Sequence, residues 1–172
     1  MPYLAAAVVL LGVLCLLNLL LTVGILRRMR ADALRSTGRD DGLFALRPGD
    51  PVGEFAAVTS DGDPVTHHDV TGVVGFFSAD CEACHDLLPS FVERARDLGR
   101  ENVLAVVGGD DLASVAALTP VARVVLADLD GGPMARAFRN EWTPALYVVG
   151  EDGRIAATGT RIDRLPVPAG RG

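Results

Sequence analysis

The pattern of apolar and polar positions begins with one long apolar segment. Leu4 to Leu26 is 23 residues without a charge, and Arg27, Arg28 and Arg30 follow directly. At 1.5 Å rise per residue, a helix of this length spans about 34 Å, enough to cross the hydrocarbon core of a bilayer. A cleaved signal peptide would need basic residues before a shorter apolar run. The segment therefore predicts an uncleaved transmembrane helix over residues 4–26, with the lipid bilayer as its partner.

The pattern after this segment predicts a linker, one α/β domain and a tail. Residues 27–47 are polar and rich in arginine, which predicts a juxtamembrane linker. Apolar runs and helical spacing then predict strands and helices in alternation. The strands are Val52–Val58, Pro64–Thr66, Gly72–Phe77, Val103–Val107, Val121–Ala127, Ala145–Val149 and Arg154–Thr158; the helices run from near Cys81 to about Leu98, from a cap at Asp110 or Asp111 to Leu118, and over Gly132–Phe138. This order indicates a mixed central sheet flanked by helices over residues 48–160, followed by a loose tail over 161–172.

Composition and charge sharpen this division. The mean hydropathy of +0.31 over 172 residues averages the apolar segment with a charged domain. All 16 basic residues are arginine, which excludes any mechanism with a lysine nucleophile. Residues 31–172 hold 13 arginines against 22 acidic residues, a net charge of −9. A domain this acidic is a poor binder of nucleic acid, so no nucleic-acid partner is expected.

The candidate chemistry lies in a pair of cysteines. Cys15 falls inside the predicted transmembrane helix, which leaves Cys81 and Cys84 for chemistry in water. The pair follows a buried strand and begins a helix, where unpaired N–H groups and the helix dipole favour a thiolate. Cys81 is therefore the predicted nucleophile, and Cys84, one turn deeper, is predicted to resolve a mixed disulfide.

The residues around this pair resemble the thioredoxin superfamily. Phe76–Cys84 has its strand, loop and C-x-x-C arrangement, and Pro89 follows where that superfamily has a helix proline. Trp142–Val149 looks like its cis-proline loop and the next strand. The opening, Pro48–Phe55, is similar to the TlpA/ResA-like and MauD-like branch of membrane-anchored thiol–disulfide oxidoreductases.

The resemblance implies a reaction and its partners. It implies a redox-active Cys81–Cys84 disulfide, no metal and no organic cofactor. It also implies a protein disulfide as substrate, a membrane dithiol protein as electron donor, and Thr143 and Pro144 as the residues that seat the substrate. The implied enzyme is a membrane-tethered thiol–disulfide oxidoreductase.

Several positions depart from the superfamily pattern. Asp80 replaces the usual tryptophan, and Glu82 stands in the place of the usual glycine. Their negative charges disfavour the Cys81 thiolate, which predicts a more reducing couple and hence a reductase. Gly75 occupies the place of a buried aspartate that helps proton transfer. His85, next to Cys84, either substitutes in part for that aspartate or is an exposed helix residue.

Four other functions are compatible with part of the sequence. Cys81–His85 is a literal C-x-x-C-H haem motif, with Met134 available as a second iron ligand, but a c-type cytochrome is largely helical. A peroxiredoxin would use Ser78 before Cys81, although its motif proline falls at Val74. A zinc site lacks two ligands. A non-catalytic thioredoxin-fold binding or assembly protein would carry the disulfide without using it.

The orientation in the membrane is predicted by two arguments that disagree. The arginines after residue 26 favour a cytoplasmic domain, by the positive-inside rule. The resemblance places the domain outside the cytoplasm, where disulfides persist. An anchored reductase adds little to a cytosol already supplied with soluble thiols. We therefore predict a single-pass cell-membrane protein with an extracytoplasmic domain.

Overall fold

The computed structural model describes Gly12 and residues 44–166. The chain divides into two compact units, residues 1–39 and residues 40–172. Apart from Gly12, the predicted transmembrane helix over 4–26 lies outside the described residues, as do the linker before residue 44 and the tail after residue 166. Among the helices that the structure describes, none has both the length and the apolar character needed to cross a membrane.

A mixed five-stranded sheet forms the centre of the second unit. The strands in chain order are β1 (Ala56–Val58), β2 (Pro64–Thr66), β3 (Gly72–Ser78), β4 (Val103–Gly108), β5 (Arg123–Leu126), β6 (Ala145–Val149) and β7 (Ile155–Gly159). The central sheet has the order β5-β4-β3-β6-β7, and β1 pairs with β2 in a separate two-stranded sheet. β4 and β5 run parallel to β3, whereas β6 is antiparallel to both β3 and β7. Residues 72–77 of β3 are all buried, as expected for a central strand covered on both faces.

Within residues 44–166, three α-helices accompany the sheet. They are α1 (Glu82–Leu98), α2 (Leu112–Leu118) and α3 (Pro133–Phe138), and short 3₁₀ turns cover His67–Asp69, Arg100–Asn102 and Ile162–Arg164. α1 buries Leu87, Phe91 and Ala95, which recur at the spacing of one helix face. The helix is capped by Cys81 and ends at Gly99, whose φ of 83° favours glycine. α1 begins four residues after the end of β3.

Two apolar clusters make up the core. Because successive side chains of a strand point to opposite faces, β3 contributes to both clusters. Val74 and Phe76 belong to the cluster that contains Phe138 and Tyr147. Val73 and Phe77 belong to the other, which contains Phe91 and Cys84. The second cysteine of the motif is thus part of the packed core beneath α1.

The first predicted strand is shorter than expected. The pattern predicted a strand over Val52–Val58, and the structure has one only over Ala56–Val58. The reason is that the backbone before β1 bonds elsewhere, since the N–H of Val52 donates to the carbonyl of Gly153 at 3.1 Å.

Packing extends past both ends of the predicted 48–160 domain. Phe44 and Leu46, from the end of the predicted linker, are buried in the first cluster. Ile162, from the predicted tail, is buried in the second. These residues join the core because apolar side chains next to a domain gain stability when they are covered.

Candidate redox site

Three segments of the chain meet at the same end of the strands of the central sheet. β3 and β4 run parallel, so the loop from Ser78 to Cys81 and the loop after Gly108 leave the sheet on the same side. β6 is antiparallel to β3, so the Thr143–Pro144 bond directly before β6 also lies on that side. The topology therefore brings the predicted nucleophile and the predicted substrate-seating residues to one edge.

The two cysteines differ in exposure and are bonded to each other. A disulfide joins Cys81 to Cys84, with Cα atoms 5.2 Å apart. The Sγ of Cys81 accepts a hydrogen bond from the backbone N–H of Cys84 at 3.1 Å. Cys84 is 2 % exposed, whereas Cys81 is partly exposed. An incoming sulfur atom can therefore reach Cys81 and is kept from Cys84 by the core.

Opposing electrostatic effects act on the Cys81 sulfur. As the N-cap of α1, it faces unpaired N–H groups and the positive end of the helix dipole, which favour a thiolate. Asp80 and Glu82 are both exposed beside it, and their negative charges disfavour a thiolate. The backbone at the helix N-terminus thus favours the Cys81 thiolate, and the flanking carboxylates disfavour it.

His85 faces a carboxylate on a different element. Its Nε2 lies 3.8 Å from Oδ2 of Asp111. Asp111 is the N-cap of α2, and its Oδ1 accepts a hydrogen bond from the N–H of Ser114 at 3.0 Å. Hydrogen bonds from Ser114 hold the pKa of the Asp111 carboxyl below its usual range, against the effect of burial and with a smaller contribution from His85.

The contact between His85 and Asp111 was not foreseen from the sequence. The pattern predicted only that Asp110 or Asp111 caps a helix, and Asp111 does so. The contact could have been inferred from the order of the strands. His85 follows β3 and Asp111 follows β4, and the two strands are parallel neighbours, so both residues lie at the same end of the sheet.

Two buried polar side chains, Asn140 and Tyr147, support the loop that contains the Thr143–Pro144 bond. The Thr143–Pro144 bond is cis, and both residues are partly exposed. The side-chain amide of Asn140 donates to the carbonyl of Trp142 at 2.8 Å. The hydroxyl of Tyr147 donates to Oδ1 of Asn140 at 2.9 Å. Asn140 therefore joins the start of the loop to β6.

Removing one side chain of the Asn140–Tyr147 hydrogen bond should destabilise the domain. We expect Tyr147→Phe and Asn140→Ala each to lower the free energy of unfolding by about 1–3 kcal/mol, because each change leaves a buried polar group unsatisfied. The double variant should lose less than the sum of the two. Denaturant titrations of all four proteins, followed by the fluorescence of Trp142, the sole tryptophan, measure this. Strict additivity would mean that the two side chains do not act as a pair.

Other polar side chains lie away from the cysteines. His67 and His68 lie in the 3₁₀ turn after β2, before the start of β3, whereas the cysteines follow its end. The seven residues of β3 place about 20 Å between those ends. Among the residues that the structure describes, no three His, Cys, Asp or Glu side chains are grouped as a metal site.

A pocket borders the segment that leads into the proline loop. Its volume is about 690 Å³. Its lining includes Leu129, Arg136, Arg139, Asn140 and Glu141. The last two come directly before Trp142, so the pocket adjoins the approach to the candidate site.

Comparison with solved structures identifies the fold. A thio-disulfide isomerase from Thermus thermophilus is 20 % identical and has a TM-score of 0.54, covering 67 % of this chain and 87 % of its own. The thioredoxin domain of a thiol-disulfide oxidoreductase from Bacteroides vulgatus is 16 % identical with a TM-score of 0.52, covering 69 % of this chain and 92 % of its own. A thiol:disulfide interchange protein of the thioredoxin family from Chlorobium tepidum is 21 % identical with a TM-score of 0.51, covering 67 % and 88 %.

These likenesses show a thioredoxin-like fold, which confirms the predicted mixed sheet flanked by helices. No protein-family model and no curated protein matches the sequence. The fold also disagrees with the haem interpretation of Cys81–His85, which needs a mostly helical protein.

Proposed function

We propose that this protein is a thiol–disulfide oxidoreductase that reduces protein disulfides through Cys81 and Cys84. The observation that carries the proposal is the unequal exposure of two bonded sulfurs, one at a helix N-terminus and one in the core. This is what exchange through a mixed disulfide requires, because only the outer sulfur should meet the substrate. The similar solved structures, a thio-disulfide isomerase and a thiol-disulfide oxidoreductase among them, support the same chemistry.

The electrons of the reaction pass through the sulfur atoms of the two cysteines. The Cys81 thiolate attacks one sulfur of the substrate disulfide, which breaks that bond and releases the other sulfur as a thiol after protonation. Cys84 then attacks Cys81, releases the second substrate thiol, and leaves the Cys81–Cys84 disulfide. Two electrons have passed to the substrate, and a donor dithiol protein must return two electrons to the enzyme. Thr143 and Pro144 would seat the substrate chain beside Cys81.

The flanking carboxylates support the reductive direction. Asp80 and Glu82 raise the energy of a thiolate at Cys81. A reduced enzyme that is stabilised less gives up its electrons more readily, so the couple is more reducing. Among the described residues, neither carboxylate forms an ion pair with an arginine or a histidine.

The proposal extends to the setting of the reaction. The uncharged segment over residues 4–26 would tether the domain to the cell membrane, in the manner of TlpA/ResA-like or MauD-like proteins. The domain would face the extracytoplasmic side, where substrate disulfides persist. A dithiol protein of the same membrane would supply the electrons.

A Cys84→Ser variant of the full chain tests both the reaction and its setting. Without the resolving sulfur, the mixed disulfide at Cys81 should accumulate in cells and be released by dithiothreitol. The matched control is Cys81→Ser/Cys84→Ser, which should capture nothing. Captured proteins should be extracytoplasmic and carry disulfides. Equal capture by the control would contradict the reaction, and capture of cytosolic proteins alone would contradict the orientation.

A further inference from the structure

Three groups from two segments of the chain come together around the first turn of α1. Cys81 caps the helix, and the N–H of His85 donates to the Cys81 carbonyl at 3.3 Å, so the two residues are stacked one turn apart. A helical side chain leans toward the N-terminus and covers the preceding turn. By this general geometry, the imidazole of His85 is expected over the turn that carries the exposed sulfur. Asp111 approaches the same imidazole from the start of α2.

Asp111 is fixed and His85 is not. The Asp111 side chain is 8 % exposed, and the His85 side chain is 54 % exposed. Oδ1 of Asp111 is held by Ser114, while its Oδ2 is buried without a hydrogen-bond partner. The carboxylate is thus a fixed negative group whose free oxygen faces an exposed imidazole. A protonated His85 would be attracted to this oxygen by charge.

The surroundings of His85 are otherwise negative. The charged residues near it in the chain are Glu82 and Asp86 on its own helix and Asp80 just before it. On the adjoining segment they are Asp110 and Asp111, of which Asp111 contacts the imidazole. Within residues 78–89 and 108–115 of the described chain, His85 is the one side chain that can become positive. It is therefore the group able to offset the carboxylates that disfavour a Cys81 thiolate.

We propose that His85, positioned by Asp111, supplies the positive charge that stabilises the Cys81 thiolate, so that reduction of the disulfide is coupled to protonation of His85. The inference rests on the proposed function in taking Cys81 as the attacking sulfur. A donor dithiol provides two electrons and two protons. The Cys81–Cys84 bond breaks, one proton goes to the Cys84 thiol, and the other goes to His85 beside the Cys81 thiolate. The donor becomes a disulfide. Oxidation of the enzyme by a substrate disulfide returns both protons to the two substrate thiols.

Alkylation of the reduced full chain by iodoacetamide from pH 5 to 9 tests the proposal. Mass spectrometry of the peptide that contains Cys81 follows this thiolate alone. At pH 6 we expect His85→Gln to react about tenfold more slowly than the wild type, as loss of a charge one helical turn away implies. The wild-type profile should show a second step where His85 loses its proton. His85→Gln should show a single step at higher pH.

Asp111→Asn separates the positioning of His85 from the simple removal of a negative charge, because the two effects change the alkylation rate in opposite directions. Asparagine caps helices as well as aspartate, so α2 should keep its start. The matched control is Asp110→Asn, which removes the same charge one residue earlier in the loop. Asp110→Asn should leave alkylation unchanged or faster, because a negative charge near the thiolate is gone. Asp111→Asn should slow it about threefold at pH 6, because the imidazolium is no longer held.

Two results would overturn the proposal. One is a His85→Gln profile that matches the wild type. The other is an Asp111→Asn variant that reacts as fast as Asp110→Asn. Neither result depends on reduction of a substrate disulfide. A protein that fails to reduce disulfides but keeps the second alkylation step would contradict the proposed function and leave the role of His85 intact.

Discussion

Replacing Cys81 by serine is expected to lower the rate of disulfide reduction by at least about a thousandfold, to the level of the buffer dithiol alone. A hydroxyl at this position is not ionised near neutral pH and cannot attack a disulfide sulfur as a thiolate does. A thousandfold loss corresponds to about 4 kcal/mol on the barrier, at 1.36 kcal/mol for each factor of ten. The measurement is turnover of insulin disulfides with dithiothreitol as the electron donor.

Cys84→Ser is the matched control, because it removes the other sulfur of the same disulfide. Cys84 is buried, so its loss should spare the first attack and stop the second step. We expect slow turnover for Cys84→Ser but a first-step rate close to the wild type in a single-turnover experiment. If Cys81→Ser kept the first step and Cys84→Ser lost it, the assignment of the two sulfurs would be reversed.

The elements around the cysteines could be predicted because their causes are local. The uninterrupted apolar run of β3 indicates a buried strand, and the spacing of Leu87, Phe91 and Ala95 marks one face of a helix. Asp152 and Gly153 mark the turn between β6 and β7. Each of these signals lies within about ten residues of the element that it predicts.

The contacts that complete the site could not be predicted, because they join distant parts of the chain. His85 and Asp111 meet only because β3 and β4 are parallel neighbours. Phe44 packs on Trp142, with ring centroids 5.7 Å apart, although the pattern placed it in a linker. Phe44 lies in a run of only four apolar residues, 43–46, which is too short to carry a periodic signal that would reveal such a partner.

The packing around Gly75 explains why this position holds a glycine, which the sequence alone does not explain. The thioredoxins that the sequence resembles carry a buried aspartate at this position, whereas this chain carries a glycine. A Cβ at residue 75 would lie 2.8 Å from Cε2 of Phe77 and 2.9 Å from Cε2 of Phe91. These two rings pack edge to face, with centroids 4.9 Å apart, in the cluster that contains Cys84. The aromatic pair fills the space that a side chain would need.

Restoring an aspartate at this position should therefore unfold the domain instead of aiding proton transfer. We expect Gly75→Ala to lower the free energy of unfolding by about 1–3 kcal/mol through overpacking. Gly75→Asp should lower it by more than about 4 kcal/mol, because a carboxyl without a partner is then buried as well. Denaturant titration with Trp142 fluorescence measures both variants.

A change in Phe91 separates packing from other causes. Leucine at residue 91 lacks Cε2 and Cζ, the two atoms of the Phe91 ring that lie within 3.1 Å of the added Cβ. Gly75→Ala should therefore cost less in a Phe91→Leu background than in the wild type, and the two changes should couple favourably. Equal costs in both backgrounds would mean that the Phe91 ring does not exclude a side chain at residue 75. The exclusion would then come from the Phe77 ring, which lies 2.8 Å from the added Cβ.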